Sequence, residues 1–456
     1  MPRQLGAWGP LGPAQGTPAG ALLVYVPEGG DQDGILLHPA APRWARANRS
    51  TRQIVARLAD GPEAAVAFLV QEYGLSPESA REDVAQVMVD LERQGLAEGG
   101  FEDSGPRIGS LYLMLTERCN LACAHCCGSF PARQELPLAS VLRLVEELIA
   151  GGGRSLVLSG GEPLLHPGLE EIVARVGKRI PVQFCTNGTL LDARWAGLFA
   201  EKLDPLFQIS LDGPSAAIHD AIRGAGAFAG ALRGIRHLQE AGLGDRIILA
   251  TTIQKKNQDV LLEVAQLAAE LAVKKLRFLP LRKEGRARET WDCTGEGLDV
   301  STYEGIFDRF LGKGAALPEG VDLSCGLNGF SLLSSTSEHW CSVGRQMVVA
   351  ASGDAFPCAV LMREDCRLGN IHGASLLDLV QGEAMARLHA TKLRRKEEIG
   401  RCRPCLWRNF CQSGCMALAL EETGSLWDVD GLCAYRCTAY ERAFDAILAS
   451  GQREKN

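Results

Sequence analysis

The sequence predicts an α/β protein: a partial barrel of six β/α units, preceded by a small α+β domain and followed by a cysteine-rich domain. Three observations lead to this fold class. From residue 111 to residue 281, short apolar runs alternate with longer amphipathic runs, which is the pattern of sequential β/α units. The sixteen cysteines form one group at residues 119–127 and a second at residues 325–437, with a cysteine-poor stretch between them. No cysteine precedes Cys119, so the first hundred residues are expected to form a separate part.

The N-terminal part is predicted to be a winged-helix-like α+β domain over residues 21–98. Its predicted strands cover residues 21–26 and 34–37, and its predicted helices cover residues 50–58, 63–73 and 77–93. The last helix is the clearest, because Ser76 can cap it and Pro77 suits the first turn. Its expected buried stripe consists of Val84, Val87, Met88 and Leu91. Residues 1–20 are expected to be a disordered lead-in, and residues 99–109 a linker.

The middle part, residues 110–300, is predicted to be a partial (β/α)6 barrel of the TIM type. The predicted strands cover residues 111–116, 156–159, 182–186, 207–211, 247–252 and 276–281. The first connecting helix, residues 137–150, has its apolar residues at helical three-four spacing. In β/α barrels the chemistry takes place at the carboxyl ends of the strands, so we expect the functional residues there.

Three cysteines follow the first predicted strand in a C-x₃-C-x₂-C arrangement: Cys119, Cys123 and Cys126. Three thiolates can hold a four-iron cluster and leave one iron free to bind an external chelate. A structural zinc site and buried thiols are the alternatives. The motif resembles that of the radical SAM superfamily. This resemblance implies a [4Fe-4S] cluster that binds S-adenosyl-L-methionine (SAM), and reductive cleavage of SAM to a 5′-deoxyadenosyl radical that abstracts a hydrogen atom.

Polar and glycine residues also follow the later predicted strands, where single Asn-Gly or Asp-Gly pairs are common turn formers. Their order resembles that of the radical SAM superfamily over the whole middle domain. The resemblance implies that the amino group of SAM is held by Gly160, Gly161 and Glu162. It implies that the ribose and carboxylate are contacted by Ser210 and Arg223, and that the site is lined by Asn187 and Thr252. His125 stands beside the last cluster ligand, where packing against the adenine is expected. No catalytic side chain is predicted.

A second cysteine ladder runs through residues 301–456. It contains Cys341, Gly353-x₄-Cys358, Cys402-x₂-Cys405-x₅-Cys411-x₃-Cys415 and Cys433. Two zinc knuckles are the competing interpretation of its central part. The ladder resembles the SPASM domain of radical SAM maturases, which carries two auxiliary [4Fe-4S] clusters.

The SPASM resemblance also implies how the ladder divides between the two auxiliary clusters. One would be held by Cys402, Cys405, Cys411 and Cys433, and the other by Cys341, Cys358 and Cys415. Cys325 is the nearest upstream cysteine for the fourth position of the latter cluster, whose remaining iron is otherwise open to substrate. The unassigned cysteines, expected to be buried thiols, are Cys185, Cys293, Cys366 and Cys437.

The N-terminal part carries a looser resemblance. The stretch from Leu36-Leu37-His38-Pro39 through Asn48, Asp60-Gly61 and Gln94-Gly95-Leu96 resembles the peptide-chaperone domain of pyrroloquinoline quinone biosynthesis, also called the RiPP recognition element. Such a domain binds a leader peptide as an extra strand on a sheet edge. A DNA-binding winged helix and an inert cap are the alternatives. Residues 1–100 hold eight Arg, no Lys and twelve Asp or Glu, which disfavours DNA.

Together these resemblances predict a radical SAM enzyme that modifies a ribosomally synthesised precursor peptide, forming a thioether or carbon–carbon crosslink. Alternatives are a tetrapyrrole-modifying or sulfatase-type SPASM enzyme and a noncatalytic peptide-binding chaperone. The expected partners are a leader-bearing precursor peptide and an external one-electron reductant of the flavodoxin or ferredoxin type. A net charge of −7 argues against nucleic acid as a partner. No membrane span is predicted, and the cytoplasm is the expected location because the cysteines suit metal binding rather than disulfides.

Overall fold

The computed structural model describes residues 22–26, 33–38, 41, 43–97, 105–128, 132–295, 298–311, 317–325 and 341–450. The expected lead-in at residues 1–20 and the first part of the expected linker, residues 99–104, lie outside these ranges. Among the helices of the described ranges, none combines the length and apolar character needed to cross a bilayer.

The N-terminal domain contains three strands and three helices. They are β1 (Leu23–Tyr25), β2 (Asp33–Leu37), β3 (Trp44–Asn48), α1 (Arg49–Leu58), α2 (Pro62–Tyr73) and α3 (Pro77–Arg93). The strands form an antiparallel sheet in the order β1-β2-β3. The three predicted helices are confirmed, whereas β3 was not predicted. Met88 is 37% exposed, so its assignment to the buried stripe of α3 was wrong.

The caps of the N-terminal helices follow from their sequence. Asn48 ends β3, and its Oδ1 accepts a hydrogen bond of 2.8 Å from the backbone N–H of Thr51, which fixes the start of α1. The Ser76 hydroxyl likewise accepts from the N–H of Ser79 at 3.2 Å and begins α3, as predicted.

The middle domain consists of six parallel strands joined by helices. The strands are β4 (Ser110–Thr116), β5 (Ser155–Gly160), β6 (Val182–Thr186), β7 (Pro205–Ser210), β8 (Ile247–Ile253) and β9 (Lys275–Pro280). The helices are α4 (Leu138–Ala150), α5 (Leu169–Val176), α6 (Ala193–Lys202), α7 (Ala216–Arg223), α8 (Ala227–Glu240) and α9 (Leu261–Glu270). The six strands pair side by side in chain order, which confirms the predicted β/α units to within two residues at each strand end.

The C-terminal part continues the same sheet. Its elements are α10 (Arg286–Glu289), α11 (Trp291–Thr294), α12 (Val300–Leu311), β10 (Asp322–Cys325), β11 (Gln346–Val349), β12 (Asp354–Phe356), β13 (Gly369–Asn370), α13 (Leu376–Gln381), α14 (Glu383–Glu398), α15 (Arg408–Cys411), α16 (Met416–Thr423) and α17 (Cys433–Ser450). Strand β10 pairs in parallel with β9, and β11 pairs in parallel with β4. Strands β4 to β13 therefore form one ten-stranded sheet, in which strands of the C-terminal part pair with both edges of the six-strand barrel.

The two faces of the six-strand barrel differ in polarity. Leu111, Leu113 and Leu115 of β4 are fully buried and pack with the apolar faces of the helices in one large core. Tyr112 and Met114, between them, are half-buried and project from the other face of the strand. The same alternation leaves Gln183 and Cys185 of β6, Gln208 of β7 and Arg277 of β9 half-buried on that other face. The face turned away from the helices therefore carries polar side chains on β4, β6, β7 and β9.

An aromatic cluster joins the N-terminal sheet to α17. The Trp44 ring meets Phe444 edge-on at a centroid distance of 5.3 Å. The Trp407 ring stacks on Tyr440 at 5.1 Å and on Phe444 at 5.6 Å. The opposite face of the sheet packs on α1, α2 and α3. The N-terminal sheet is thus packed between its own helices and the C-terminal part.

Candidate active site

The loop with Cys119, Cys123 and Cys126 follows β4, at the carboxyl end of the sheet. Backbone hydrogen bonds tie the start of this loop to the end of β5: Gly161 N donates to Thr116 O at 2.7 Å, and Glu162 N donates to Arg118 O at 2.8 Å. Residues 286–290 hold its other side. Arg286 Nη1 donates to Cys123 O at 2.9 Å, and Thr290 Oγ1 donates to Ala124 O at 2.8 Å.

Two glycines allow β5 to approach this loop. A Cβ at Gly160 would lie 2.3 Å from Thr116 O, and one at Gly161 would lie 2.3 Å from Arg118 O. Gly160 also has φ = +130°, which L side chains rarely adopt. Both glycines are thus required by close backbone packing, a role that stands beside the SAM contact predicted for them.

Glu162 is fully buried and its carboxylate bonds to the protein. Oε1 accepts from Thr186 Oγ1 at 2.7 Å, and Oε2 accepts from the backbone N–H of Asn187 at 2.9 Å. Burial raises the pKa of Glu162 to about 7, although these hydrogen bonds oppose the rise. Glu162 therefore joins the ends of β5 and β6 and fixes the backbone of Asn187.

Asn187 lies beside the first cysteine of the triad. Its Nδ2 donates to Asn120 Oδ1 at 2.9 Å and lies 4.0 Å from Cys119 Sγ, while its Oδ1 accepts from Thr189 Oγ1 at 2.6 Å. Since both ends of the amide are engaged, the Asn187 side chain holds the loop around Cys119 in place.

Asp212, which was not predicted as a site residue, is central to the other side of the triad. It is fully buried; its Oδ2 accepts from Arg223 Nε at 2.6 Å, and its Oδ1 accepts from the N–H of Thr252 at 2.8 Å. Arg223 Nη1 in turn lies 3.9 Å from Cys123 Sγ. Burial opposes ionisation, yet the charges of Arg223 and neighbouring groups keep the pKa of Asp212 below its ordinary value. The only sequence signal for Asp212 was an Asp-Gly pair, which is also typical of a turn.

His125 contacts this ion pair. Its Nε2 lies 3.3 Å from Asp212 Oδ2 and 3.3 Å from Arg223 Nη2, and its Nδ1 is buried without a partner in the described structure. Burial lowers the pKa of His125 to about 4, so the ring is neutral at physiological pH. A neutral ring with one buried nitrogen that lacks a partner is compatible with the predicted contact to a bound ligand.

Ser210 and Thr252 lie on the polar face of the sheet. Ser210 is the last residue of β7 and is in register with Ala250 of β8, and Thr252 is two residues further along β8. Both are half-buried. The structure therefore brings the predicted SAM contacts together at adjoining strand ends, with Ser210 and Thr252 on the side of Asp212 and Asn187 on the side of Cys119.

The triad thiols need a compensating group. Burial raises the pKa of Cys119, Cys123 and Cys126, so deprotonating them without a cation is costly. The thiolates of a four-iron cluster each bind a different iron, and the irons supply the positive charge that offsets the burial of the thiolates. The donor set fits a cluster.

The first predicted auxiliary set consists of Cys341, Cys358 and Cys415. Burial, followed by the neighbouring Cys415 and Cys341, raises the pKa of Cys358 to about 12. Arg282 lies beside this set, since its Nη1 and Nη2 donate to the carbonyls of Ala359 and Val360 at 3.2 and 3.0 Å. Cys325 is the last residue of β10, and its side chain lies outside the described part of the structure.

The second predicted auxiliary set consists of Cys402, Cys405, Cys411 and Cys433, and a fifth thiol lies beside it. Cys437 stands one helical turn after Cys433 in α17. Its hydrogen bonds lower the pKa of Cys433 to about 6 and that of Cys405 to about 7. Cys437 was left unassigned in the sequence, with a buried thiol as the expectation; its thiol is only partly buried and neighbours Cys405 and Cys433. Cys293, also expected to be buried, is exposed.

Buried cations adjoin both auxiliary sets. Arg395 is 1% exposed, and its guanidinium donates to the carbonyls of Ser413 and Gly414 at 3.1 and 3.0 Å. Lys392 is 4% exposed and donates to Val343 O at 3.0 Å, two residues from Cys341. Buried cations are costly unless negative charge lies near them. Thiolate-ligated clusters carry such charge, so the surroundings of both sets fit iron–sulfur clusters.

Family models match two parts of the chain. The model of the radical SAM superfamily matches residues 113–268, and that of the SPASM iron–sulfur cluster-binding domain matches residues 341–406. Both matches agree with the resemblances found in the sequence, and both lie outside residues 21–98.

Two curated relatives are similar over most of their length. Mycofactocin maturase MftC of Mycolicibacterium smegmatis is 30% identical over 309 residues, which are 66% of this chain and 76% of the relative. AdoMet-dependent heme synthase of Methanosarcina barkeri is 30% identical over 356 residues, which are 71% of this chain and 95% of the relative.

Solved structures share the fold. Streptococcus suis SuiB bound to S-adenosylmethionine has a TM-score of 0.57 at 15% identity, and the match covers 90% of this chain and 97% of the SuiB chain. Native anSMEcpe with bound AdoMet has a TM-score of 0.59 at 20% identity and covers 75% of this chain and 97% of its own. At these identities the similarity establishes the fold alone.

Proposed function

Since this chain is an enzyme of the radical SAM superfamily with a SPASM domain, we propose that it modifies a ribosomally synthesised precursor peptide and forms a thioether or carbon–carbon crosslink. The observation that carries the proposal is the N-terminal sheet, which is packed on the auxiliary-cluster domain through Trp44 and Phe444. An antiparallel sheet fixed to the catalytic part can hold an extended peptide segment in a constant position relative to the barrel.

The N-terminal sheet offers two outer edges, those of β1 and β3. Strand β3 has five residues and β1 has three, so β3 provides the longer edge for an added strand. We assign the leader of the precursor to the β3 edge. Tethering the leader raises the local concentration of the core peptide at the barrel. The fold match to SuiB covers 90% of this chain, whereas residues 110–456 make up only about 76% of it. The match therefore extends into the N-terminal domain, which is compatible with this assignment. SuiB is also known in complex with its precursor peptide SuiA.

The residues of the site have separate tasks in this proposal. When SAM and the reduced cluster of Cys119, Cys123 and Cys126 are bound, they supply a 5′-deoxyadenosyl radical that removes a hydrogen atom from the peptide. Arg223 and Asp212 fix the loop beside Cys123, and Asn187 fixes it beside Cys119. The polar face formed by the strands receives the core peptide.

Net oxidation of the peptide requires an exit for electrons. We assign this task to the two auxiliary sites, which lie in the domain that covers both edges of the barrel. An external one-electron reductant of the flavodoxin or ferredoxin type would supply the cleavage electron. Reduced thiols are needed at all three sites, which favours the cytoplasm.

A tetrapyrrole substrate is the second candidate, because the heme synthase of M. barkeri is as similar as the mycofactocin maturase. The match to that synthase uses 71% of this chain and 95% of the synthase. The match to the maturase uses 66% of this chain, so coverage does not separate the two candidates. The N-terminal sheet, with an edge that can take up an extended peptide, favours the peptide substrate.

The test is anaerobic coexpression of the full chain with a short peptide encoded beside its gene, followed by mass spectrometry. The intact enzyme and a Cys293→Ser control, which changes an exposed cysteine outside the ligand sets, should both remove two hydrogens per crosslink. Cys119→Ala should leave the mass unchanged and should form no 5′-deoxyadenosine. A peptide without its leader should react poorly.

Other results would redirect the proposal. An unchanged mass with deuterium incorporation from heavy water would indicate epimerisation. No change of either kind would favour a tetrapyrrole or another small molecule. Formation of 5′-deoxyadenosine by Cys119→Ala would contradict the assignment of the triad.

A further inference from the structure

One face of α17 carries a buried ion pair against the second auxiliary set. Cys433, Arg436 and Cys437 follow at helical three-four spacing. Arg436 is 1% exposed and its partner Asp430 is 1% exposed. Arg436 Nη2 lies 2.5 Å from Asp430 Oδ1, and Arg436 Nε donates to Cys411 Sγ at 3.3 Å. The guanidinium therefore connects a buried carboxylate to a cluster ligand.

The ion pair also reaches the first auxiliary set. Asp430 Oδ2 accepts a hydrogen bond of 2.5 Å from the backbone N–H of Cys415. Gly414 leaves space for the pair, because a Cβ there would lie 2.3 Å from Arg436 Nη2 and 2.6 Å from Asp430 Oδ2. One Arg–Asp pair thus contacts Cys411 of one ligand set and Cys415 of the other.

We propose that Arg436 is a positioning residue that raises the reduction potential of the cluster held by Cys402, Cys405, Cys411 and Cys433, and that Asp430 limits this rise. The inference rests on the proposed function, since it requires that both auxiliary sites hold clusters. The cluster takes up one electron without making or breaking a bond to the protein. Its reduced form is the more negative one, so a cation that hydrogen-bonds to a ligand sulfur favours reduction.

Because the pair is buried, each of its two charges should shift the reduction potential of the cluster strongly and in a definite direction. Water and salt screen an exposed charge, whereas a buried charge acts through a medium of low polarisability. Removing the positive charge must lower the potential, and removing the negative charge must raise it. A purely structural brace would not produce shifts of opposite sign.

The experiment uses the full chain, reconstituted anaerobically, with iron analysis and a redox titration monitored by electron paramagnetic resonance. The cluster is identified as the one whose signal is lost in Cys405→Ala. Arg436→Gln should keep its iron and titrate at a more negative potential. Asp430→Asn should titrate at a more positive potential, and the double variant should return close to the original value. Arg442→Gln, which changes an exposed arginine of the same helix paired with Asp308, should cause no shift.

The outcomes separate this inference from the proposed function. About twelve irons per chain are expected for three four-iron clusters. A wild-type enzyme with only about four irons would contradict the auxiliary clusters themselves. Full iron with unshifted potentials, or shifts of the same sign in both single variants, would overturn the role of Arg436. Loss of the cluster in both single variants would also overturn it, because the pair would then be a structural support.

Discussion

Arg223 Nε donates a hydrogen bond of 2.6 Å to Asp212 Oδ2 at a point where Asp212 is fully buried. The two residues come from opposite ends of one β/α connection, since Asp212 follows β7 and Arg223 ends α7. Their ion pair is completed by Cys123 Sγ, 3.9 Å from Arg223 Nη1. The positive charge of Arg223 therefore lies beside both the Asp212 carboxylate and Cys123, a predicted cluster ligand.

Replacing Arg223 with Met should strongly destabilise the protein, because it leaves the Asp212 carboxylate buried without its cation. The expected loss in free energy of unfolding is about 3–5 kcal/mol. Denaturant unfolding of the full chain would measure it. Arg194→Met is the matched control: Arg194 pairs with Glu170 at the surface, and the expected loss is below about 1 kcal/mol. Equal losses in the two variants would contradict the importance of the buried pair.

Replacing Gly160 with Ala should disturb the cysteine loop, because the new Cβ would lie 2.3 Å from Thr116 O and the backbone would be strained at φ = +130°. Gly61→Ala provides the control, since Gly61 has φ = +103° and no atom within 4 Å of a Cβ position. The control should lose about 1–3 kcal/mol from backbone strain alone. Gly160→Ala should lose clearly more and should bind less iron at the triad. If the two variants lost the same free energy of unfolding and Gly160→Ala kept its full iron content, close packing at Gly160 would not be required.

The stability contributed by Glu162 should depend on pH. Its pKa rises from 4.5 to about 7 on folding, so its contribution is complete below pH 4.5 and is lost as the pH rises towards 7. The full change corresponds to about 3 kcal/mol. In unfolding measurements, Glu162→Gln should therefore be destabilised most at pH 5 and least at pH 8. Glu201→Gln, at an exposed position whose pKa is lowered by Lys202, should show no such trend in this range. If the stability that Glu162→Gln loses relative to the wild type increased with pH, the raised pKa of Glu162 would be contradicted.

The barrel strands could be predicted because buried parallel strands are nearly continuous apolar runs, as in residues 247–250 of β8. Strand β3 could not, since Trp44-Ala-Arg-Ala-Asn48 contains two alanines and no β-branched residue. Its stability comes from pairing with β2 and from the contact of Trp44 with Phe444, which is a tertiary effect.

The site residues likewise divide into those that the sequence could predict and those that it could not. Cysteine spacing is a local pattern, and it was sufficient to predict the ligand sets. Asp212 and Arg436 carry no such pattern, because a single acidic or basic residue acquires its role from burial and from partners distant in the chain. Cys437 lies four residues after Cys433, yet only the helix that joins them reveals that the two sulfurs are neighbours.

The aromatic contact between the N-terminal sheet and α17 should affect the sensitivity of the enzyme to dioxygen. Trp407 lies between Cys405 and Cys411 in the chain, and both cysteines pack against the cluster of rings that Trp44 and Phe444 complete. The domain proposed to hold the leader therefore also forms part of the wall around the predicted cluster site of Cys405 and Cys411. Without that domain, dioxygen would reach these cysteines. A truncated enzyme would therefore lose activity through oxidation of the cluster as well as through loss of peptide binding.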